Sequence, residues 1–185
     1  MYFEKAGKQN TIRVLELARQ RAQELCIHEV VVASTRGETA CRAYEVFQGS
    51  NIKLVAVTEH AGFAEPFQHM IADDRRRDLE AKHIPVVCGS HALSGVERGL
   101  AKKMPGVYPV LLIAETLRLF GQGLKVAVEI TIMAADAGHL SGKPVIAVGG
   151  TGEGADTAIV ITPANMNRFF EMKIHEIICK PNLHQ

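Results

Sequence analysis

Apolar positions along the chain recur at two different spacings. Ile12, Leu15, Leu17, Ala18 and Leu25 repeat at mostly helical intervals behind Asn10 and Thr11, either of which can cap a helix over residues 11–26. Val30, Val31, Val32 and Ala33 follow as a short β-branched run, the pattern of a strand buried on both faces. The alternation continues with a helix over 37–47, a buried strand over 52–57, a charged helix over 68–82 and a strand over 84–88. The middle of the chain is more helical: a loop and short helix over 90–103, a connection punctuated by Pro105 and Pro109, then apolar helices over 110–120 and 125–137. Strands at 145–148 and 158–161 come next. After Pro163 a helical turn over 164–170 leads to a last edge strand at 173–179. No internal repeat or low-complexity linker interrupts this order.

Repeated helix–strand units with two-sided apolar strands predict an α/β fold, a parallel or mostly parallel sheet with helices on both faces. A length of 185 residues favours one such domain. In open sheets of this kind ligands collect at the carboxyl edge of the strands, where the strand order reverses. The loops at 34–39, 58–63, 89–95 and 149–156 are expected to open on that edge. A helix that precedes a strand begins there too, which brings in Asn10, Thr11 and the turn of Gly121, Gln122 and Gly123.

Composition narrows the function classes. Hydrophobic residues make up 47% and charged residues 22%, a globular balance that argues against general disorder. The 21 Lys and Arg against 20 Asp and Glu leave a net charge of +1, so nucleic-acid and membrane-surface partners are not expected. No apolar run approaches the ~20 residues of a membrane span, and the N-terminal MYFEKAGKQN lacks an apolar signal region. A soluble, cytoplasmic protein is the expectation. Cys26, Cys41, Cys88 and Cys179 are scattered, without CxxC, and the eight histidines form no HxxxH, so the cysteines read as small buried hydrophobes and no metal site is expected.

Candidate chemistry lies in the loops. Ser34, Thr35, Arg36, Gly37, Glu38 and Thr39 stand between a buried strand and the helix after it. Hydroxyls and a glycine at such a turn present N–H and O–H donors to an anion, the helix dipole adds to them, and Arg36 offers a charge-assisted contact. Capping of the helix by Ser34 and Thr35 is the structural alternative. Gly149, Gly150, Thr151, Gly152, Glu153, Gly154, Ala155 and Asp156 form a second glycine-rich stretch. It is neither GxGxxG nor a strand-to-helix turn, so the dinucleotide fingerprint fails, and no GxxxxGK[ST] occurs. It reads either as a flexible connector or as a binding loop with Thr151 and Asp156 as polar contributors. Glu129 interrupts an apolar helix and can accept hydrogen bonds from a ligand or pair with Arg36 or Lys125. His60, after Thr58 and Glu59, and His91, after Ser90, sit where an acid or base can act, but no catalytic triad assembles from spacing. Asp73 through Asp78 mixes both charge signs and reads as a solvated, internally paired helix face.

The 34–39 turn resembles the phosphate loop of flavodoxin-like proteins, matching at Ser34, Gly37 and Thr39, with Arg36 in place of a central threonine and no tryptophan to stack on a flavin. The stretch VVVASTRGETACRAYEVFQGSNIKLVAVTE resembles more closely the C-terminal domain of pyruvate kinase. With NTIRVLELA, HALSGVERGL, FGQGLKVAVEITIMAADAGH and VGGTGEGADTAIVITPANM, nearly the whole chain is similar to the stand-alone pyruvate kinase C-terminal-like proteins of archaea and bacteria. The resemblance implies a three-layer α/β/α sandwich with a mostly parallel sheet of order 3-2-1-4-5 and an antiparallel edge strand. It implies FMN as a cofactor and an effector-type phosphate site at Ser34, Thr35, Gly37 and Thr39. It does not extend to the catalytic barrel, so pyruvate kinase activity is not implied.

The expected function is binding of a phosphorylated small molecule, a mononucleotide such as FMN. The 34–39 turn would hold the phosphate and residues 149–156 would flank the ring or ribose, with His60, Glu129, Asn10 and Thr11 completing the cleft. Rival expectations are a flavin-dependent oxidoreductase, an enzyme of phosphorylated carbonyl compounds using His60 or Glu129, and a regulatory module that forms a homo-oligomer through residues 110–120.

Overall fold

The computed structural model describes residues 1–183. Along the chain the elements are β1 (Tyr2–Phe3), α1 (Thr11–Glu24), β2 (Glu29–Ala33), α2 (Glu38–Phe47), β3 (Lys53–Thr58), α3 (Asp73–Ala81), β4 (Val86–Cys88), α4 (Gly95–Ala101), α5 (Pro109–Arg118), α6 (Gln122–Asp136), β5 (Val145–Gly149), β6 (Thr157–Thr162) and β7 (Lys173–Pro181), with 3-10 turns at Lys8–Asn10 and Met166–Glu171. The seven strands form one sheet in the order β1-β7-β6-β5-β2-β3-β4.

Successive strand residues serve opposite layers. Val30 and Val32 pack with Val14, Leu15 and Ala18 of α1 and Ala40 and Ala43 of α2. Val31 packs on the other face with Leu124, Ala127 and Val128 of α6, and all three valines are buried. That is the two-faced burial written in the β-branched run, and it makes three layers, helix, sheet, helix. The expected order 3-2-1-4-5 holds for β4, β3, β2, β5 and β6, and four of the six pairings are parallel.

The expected antiparallel edge strand needs correction. The strand that runs against the others is β6, inside the sheet, antiparallel to both β5 and β7. Only residues 150–156 join β5 to β6, too few for the crossover of about a dozen residues that a parallel pair requires. β7 is not the edge either, because β1 covers it in parallel register, Tyr2 opposite Lys180 and Phe3 opposite Pro181. The helix expected over 68–82 forms only at Asp73–Ala81. Its charges pair within the helix face as expected, Arg76 with Glu80 at 2.9 Å and Asp78 with Lys82 at 2.7 Å. Of the cysteines only Cys179 is buried, its thiol pushed up to about 11 by that burial; Cys26 is exposed, and Cys41 and Cys88 are intermediate. No helix is long and apolar enough to cross a membrane among the described residues.

Candidate functional site

The turn after β2 is built by its own side chains. Ser34 donates its N–H to the Val57 carbonyl at 2.9 Å, and its buried Oγ accepts the Ala40 N–H at 3.0 Å. The Ser34 hydroxyl thus caps α2, while the N–H groups of Glu38 and Thr39 in the first turn have no intrahelical acceptor and form the positive end of the dipole. Gly37 adopts φ +94°, and a Cβ there would lie 2.5 Å from the Arg75 Cγ, so backbone conformation and space both require glycine. Thr35 accepts from the Thr58 hydroxyl through its carbonyl at 2.7 Å and donates its own hydroxyl to Glu59 Oε1 at 3.2 Å.

The bend between β5 and β6 is held from beneath. Asp156 is fully buried and accepts the Gly7 N–H at 3.0 Å, the Thr151 N–H at 3.1 Å and the Thr157 hydroxyl at 2.8 Å. Thr11 accepts the Ala155 N–H at 3.0 Å and donates to the Lys8 carbonyl at 2.7 Å, which ties the bend to the start of α1. Gly149 packs its backbone on α6, where a Cβ would lie 2.9 Å from the Ala127 nitrogen and closer still to the Gly123 carbonyl. Asn10 donates to the Lys5 carbonyl at 2.7 Å and caps nothing with its side chain.

Between turn and bend lies a cleft of about 630 Å³. Thr11, Thr35, Arg36, Glu38, Thr39, Gly150 and Gly152 of the expected site line it, with Lys8, Arg42, Phe63 and Gln122. Gln122 and its neighbours come from the expected turn at the start of α6. An inner compartment of about 260 Å³ shares Thr35, Glu59, Phe63 and Gln122 with the cleft and adds Ser34, His91, Arg98, Arg118, Lys125 and Glu129. Gly37, Gly149, Thr151, Asp156 and Asn10, also expected to contact a ligand, do not line the cleft. His60 stands beside it, its Nδ1 2.8 Å from the Ala61 carbonyl oxygen and its ring 5.4 Å from that of His91. A separate apolar cavity of about 410 Å³ opens at the amino edge beside Cys26, Ile27 and Pro144. Of its polar side chains, Glu29 accepts from the Ser141 N–H and hydroxyl and His175 bonds Thr162.

Two carboxylates sit in the inner compartment, and they differ. Glu129 is 4% exposed, accepts the Leu93 N–H at 2.9 Å and pairs with Lys125 one helical turn away. Burial pushes the Lys125 ammonium down while Glu129 opposes it. Of the two expected partners the fold uses Lys125, and both oxygens of Glu129 serve the fold. Glu59 instead bonds His91 Nε2 at 2.5 Å and the Thr35 hydroxyl. Burial pushes the Glu59 carboxyl up, but the hydrogen bond and charge of His91, with Thr35, outweigh it and hold it below its ordinary 4.5. The unfolded chain therefore binds more protons in that window, and the stability from Glu59 is present above 4.5 and lost as pH falls through the folded value. Glu59→Gln is expected to lose less stability on acidification than the unaltered protein. Urea midpoints at neutral and acidic pH measure this; equal losses in both would refute it.

Sequence spacing missed Arg42, Arg98 and Arg118, which reach the cavities from three different helices, and the pairing of Glu59 with His91 across 32 residues. The only signal available was position, since both Glu59 and His91 follow strands at the carboxyl edge. No group of three or more His, Cys, Asp and Glu is placed to hold a metal among the described residues.

The turn, the short hairpin bend and the strand order together make an α/β domain whose polar site lies at the carboxyl edge. A protein-family model described as pyruvate kinase, alpha/beta domain, matches residues 12–161, from the second residue of α1 to the fifth of β6, and so includes both the 34–39 turn and the 149–156 bend. The chain belongs to the pyruvate kinase alpha/beta domain family.

Proposed function

We propose that this protein binds a phosphorylated small molecule, a mononucleotide such as FMN, in the cleft at the carboxyl edge. One observation carries the reading: the 34–39 turn and the glycines of the 149–156 bend, more than a hundred residues apart, wall a single cleft of about 630 Å³. The phosphate lies at the start of α2, where the free N–H groups, the Thr39 hydroxyl and Arg36 supply donors and positive charge. Gly150 and Gly152 let backbone approach the rest of the ligand, and Phe63, 41% exposed, offers an aromatic face for a ring.

Arg36→Glu tests this. Arg36 is exposed, so the fold tolerates the change, whereas Gly37→Asp would disturb the turn as well as the charge. Reversing the charge beside the phosphate is expected to weaken FMN binding at least about 10-fold in a fluorescence-quenching titration, as for the loss of a charge-assisted hydrogen bond. Unchanged affinity would remove the turn from the site. Native mass spectrometry of untreated protein would name a copurified ligand.

A further inference from the structure

Most titratable groups of the inner compartment are consumed by the fold. Lys125 and Glu129 satisfy each other, and Arg118 pairs with Glu115 and bonds Gln122 at 2.7 Å. Glu59 is different: its carboxylate serves two side chains that both line the cavity, Thr35 and His91. The backbone beneath it is fixed separately, with the Cys88 thiol donating to the Glu59 carbonyl at 3.1 Å. The His91 ring is held at 14% side-chain exposure, its centroid 5.4 Å from that of Phe63 and 5.4 Å from that of His60. With Nε2–H donating to the carboxylate, Nδ1 carries the lone pair and bonds no protein group among the described residues. Arg98 lines the same compartment and forms no salt bridge among the described residues, although an arginine would serve Glu59 better if the need were only structural.

We propose, building on the phosphate site assigned above but with a phosphorylated carbonyl compound in place of FMN, whose ring carbonyls have no hydrogen on a neighbouring carbon, that Glu59 and His91 form an acid–base pair that moves a proton at a carbon next to the ligand's carbonyl group. The phosphate anchors at the start of α2, and the carbonyl end reaches the inner compartment past the shared wall of Thr35, Phe63 and Gln122. His91 Nδ1 takes the proton as the C–H bond breaks. The electron pair moves into a new carbon–carbon double bond, and the carbonyl oxygen takes the negative charge, with Arg98 lining the same compartment. Glu59 orients the imidazole and stabilises the imidazolium, a positioning role. The reverse step returns a proton to carbon, so the net change is exchange of that hydrogen with solvent and no oxidant or other co-reactant is consumed.

Proton NMR of dihydroxyacetone phosphate in heavy water, with the full chain present, reads this exchange directly, and titration calorimetry reads binding separately. The unaltered protein is expected to accelerate exchange over buffer, and His91→Gln to slow it about 100-fold or more with the affinity retained. The charged and titratable groups around His91 are Glu59 and His60 after β3, Arg98 of α4, Arg118 of α5 and the Lys125–Glu129 pair of α6. Of these only Glu59 bonds the ring, so Glu59→Gln is expected to slow exchange about 10-fold at saturating ketone phosphate with the KM unchanged, the signature of a lost positioning contact. Binding without accelerated exchange, or wild-type exchange in His91→Gln, overturns the proposal. Binding of FMN but not of the ketone phosphate overturns it and leaves the ligand reading standing, whereas binding of neither overturns both.

Discussion

Glu129→Ala is expected to destabilise the protein by about 3–5 kcal/mol, the usual cost of removing one partner from a buried ion pair. Glu129 is 4% exposed and Lys125 3%, so neither can turn to water. The substitution strands the Lys125 ammonium inside α6 and leaves the buried Leu93 N–H without its acceptor. For a chain of this size the loss corresponds to a fall in Tm of roughly 10 °C. The sign of the pH dependence follows from the lysine. Burial already lowers its pKa from 10.5 against the pull of Glu129, and loss of the carboxylate lowers it further. The unfolded variant then binds more protons than the folded one, so the deficit shrinks as pH rises towards 10.5. A second variant separates charge from shape: Lys125→Met with Glu129→Leu removes both ions, and it is expected to recover much of the loss, short of the orphaned Leu93 N–H. Denaturant titration measures all three chains. A loss below about 1 kcal/mol in Glu129→Ala would mean that water reaches the pair and that the compartment is wetter than its burial indicates.

Asp156→Ala is expected to be nearly as damaging, at about 3 kcal/mol, because three donors lose one acceptor at once. Two of them are backbone N–H groups, of Gly7 and Thr151, and the third is the Thr157 hydroxyl. The consequence reaches the site. Gly150, Gly152 and Gly154 line the cleft, and the bend that carries them is held by Asp156 below and by Thr11 at the side. Limited proteolysis is expected to cut the variant within residues 150–155, and FMN affinity to fall with the bend. Asp156→Asn keeps one acceptor oxygen and is expected to lie between the two. An Asp156→Ala protein with unaltered stability and weakened FMN binding would return Asp156 to the role of a ligand contact.

Much of the fold was legible along the chain. The run of Val30, Val31 and Val32 announces two-sided burial without any knowledge of partners, whereas of the apolar positions expected for α1 only Leu15 and Ala18 are buried, Ile12 and Leu25 being exposed and Val14 taking the inner place. The 34–39 turn was legible because strand, hydroxyls, glycine and helix are contiguous. The direction of β6 was legible in principle, since seven residues cannot carry a parallel crossover, whereas the cover of β7 by β1 joins residues at opposite ends of the chain and leaves no local mark. The sequence named loops whose residues line the cleft but not what each atom does. Ser34 caps α2, Gly149 makes room for α6, and Asp156 holds backbone, although all three read as ligand groups from their loop positions.

The order of amino acids by itself determined the α/β class, the buried strands and the edge at which polar loops gather, because periodicity, turn chemistry and strand-to-helix succession are properties of neighbours in the chain. Only the tertiary structure decided that two distant loops share one cleft, that Glu129 accepts the Leu93 N–H, and that Glu59 meets His91 with Arg98 alongside. A hydrogen-bond partner is chosen by distances of about 3 Å between atoms. For residues far apart in sequence those distances exist only once the sheet has closed and the helices have packed.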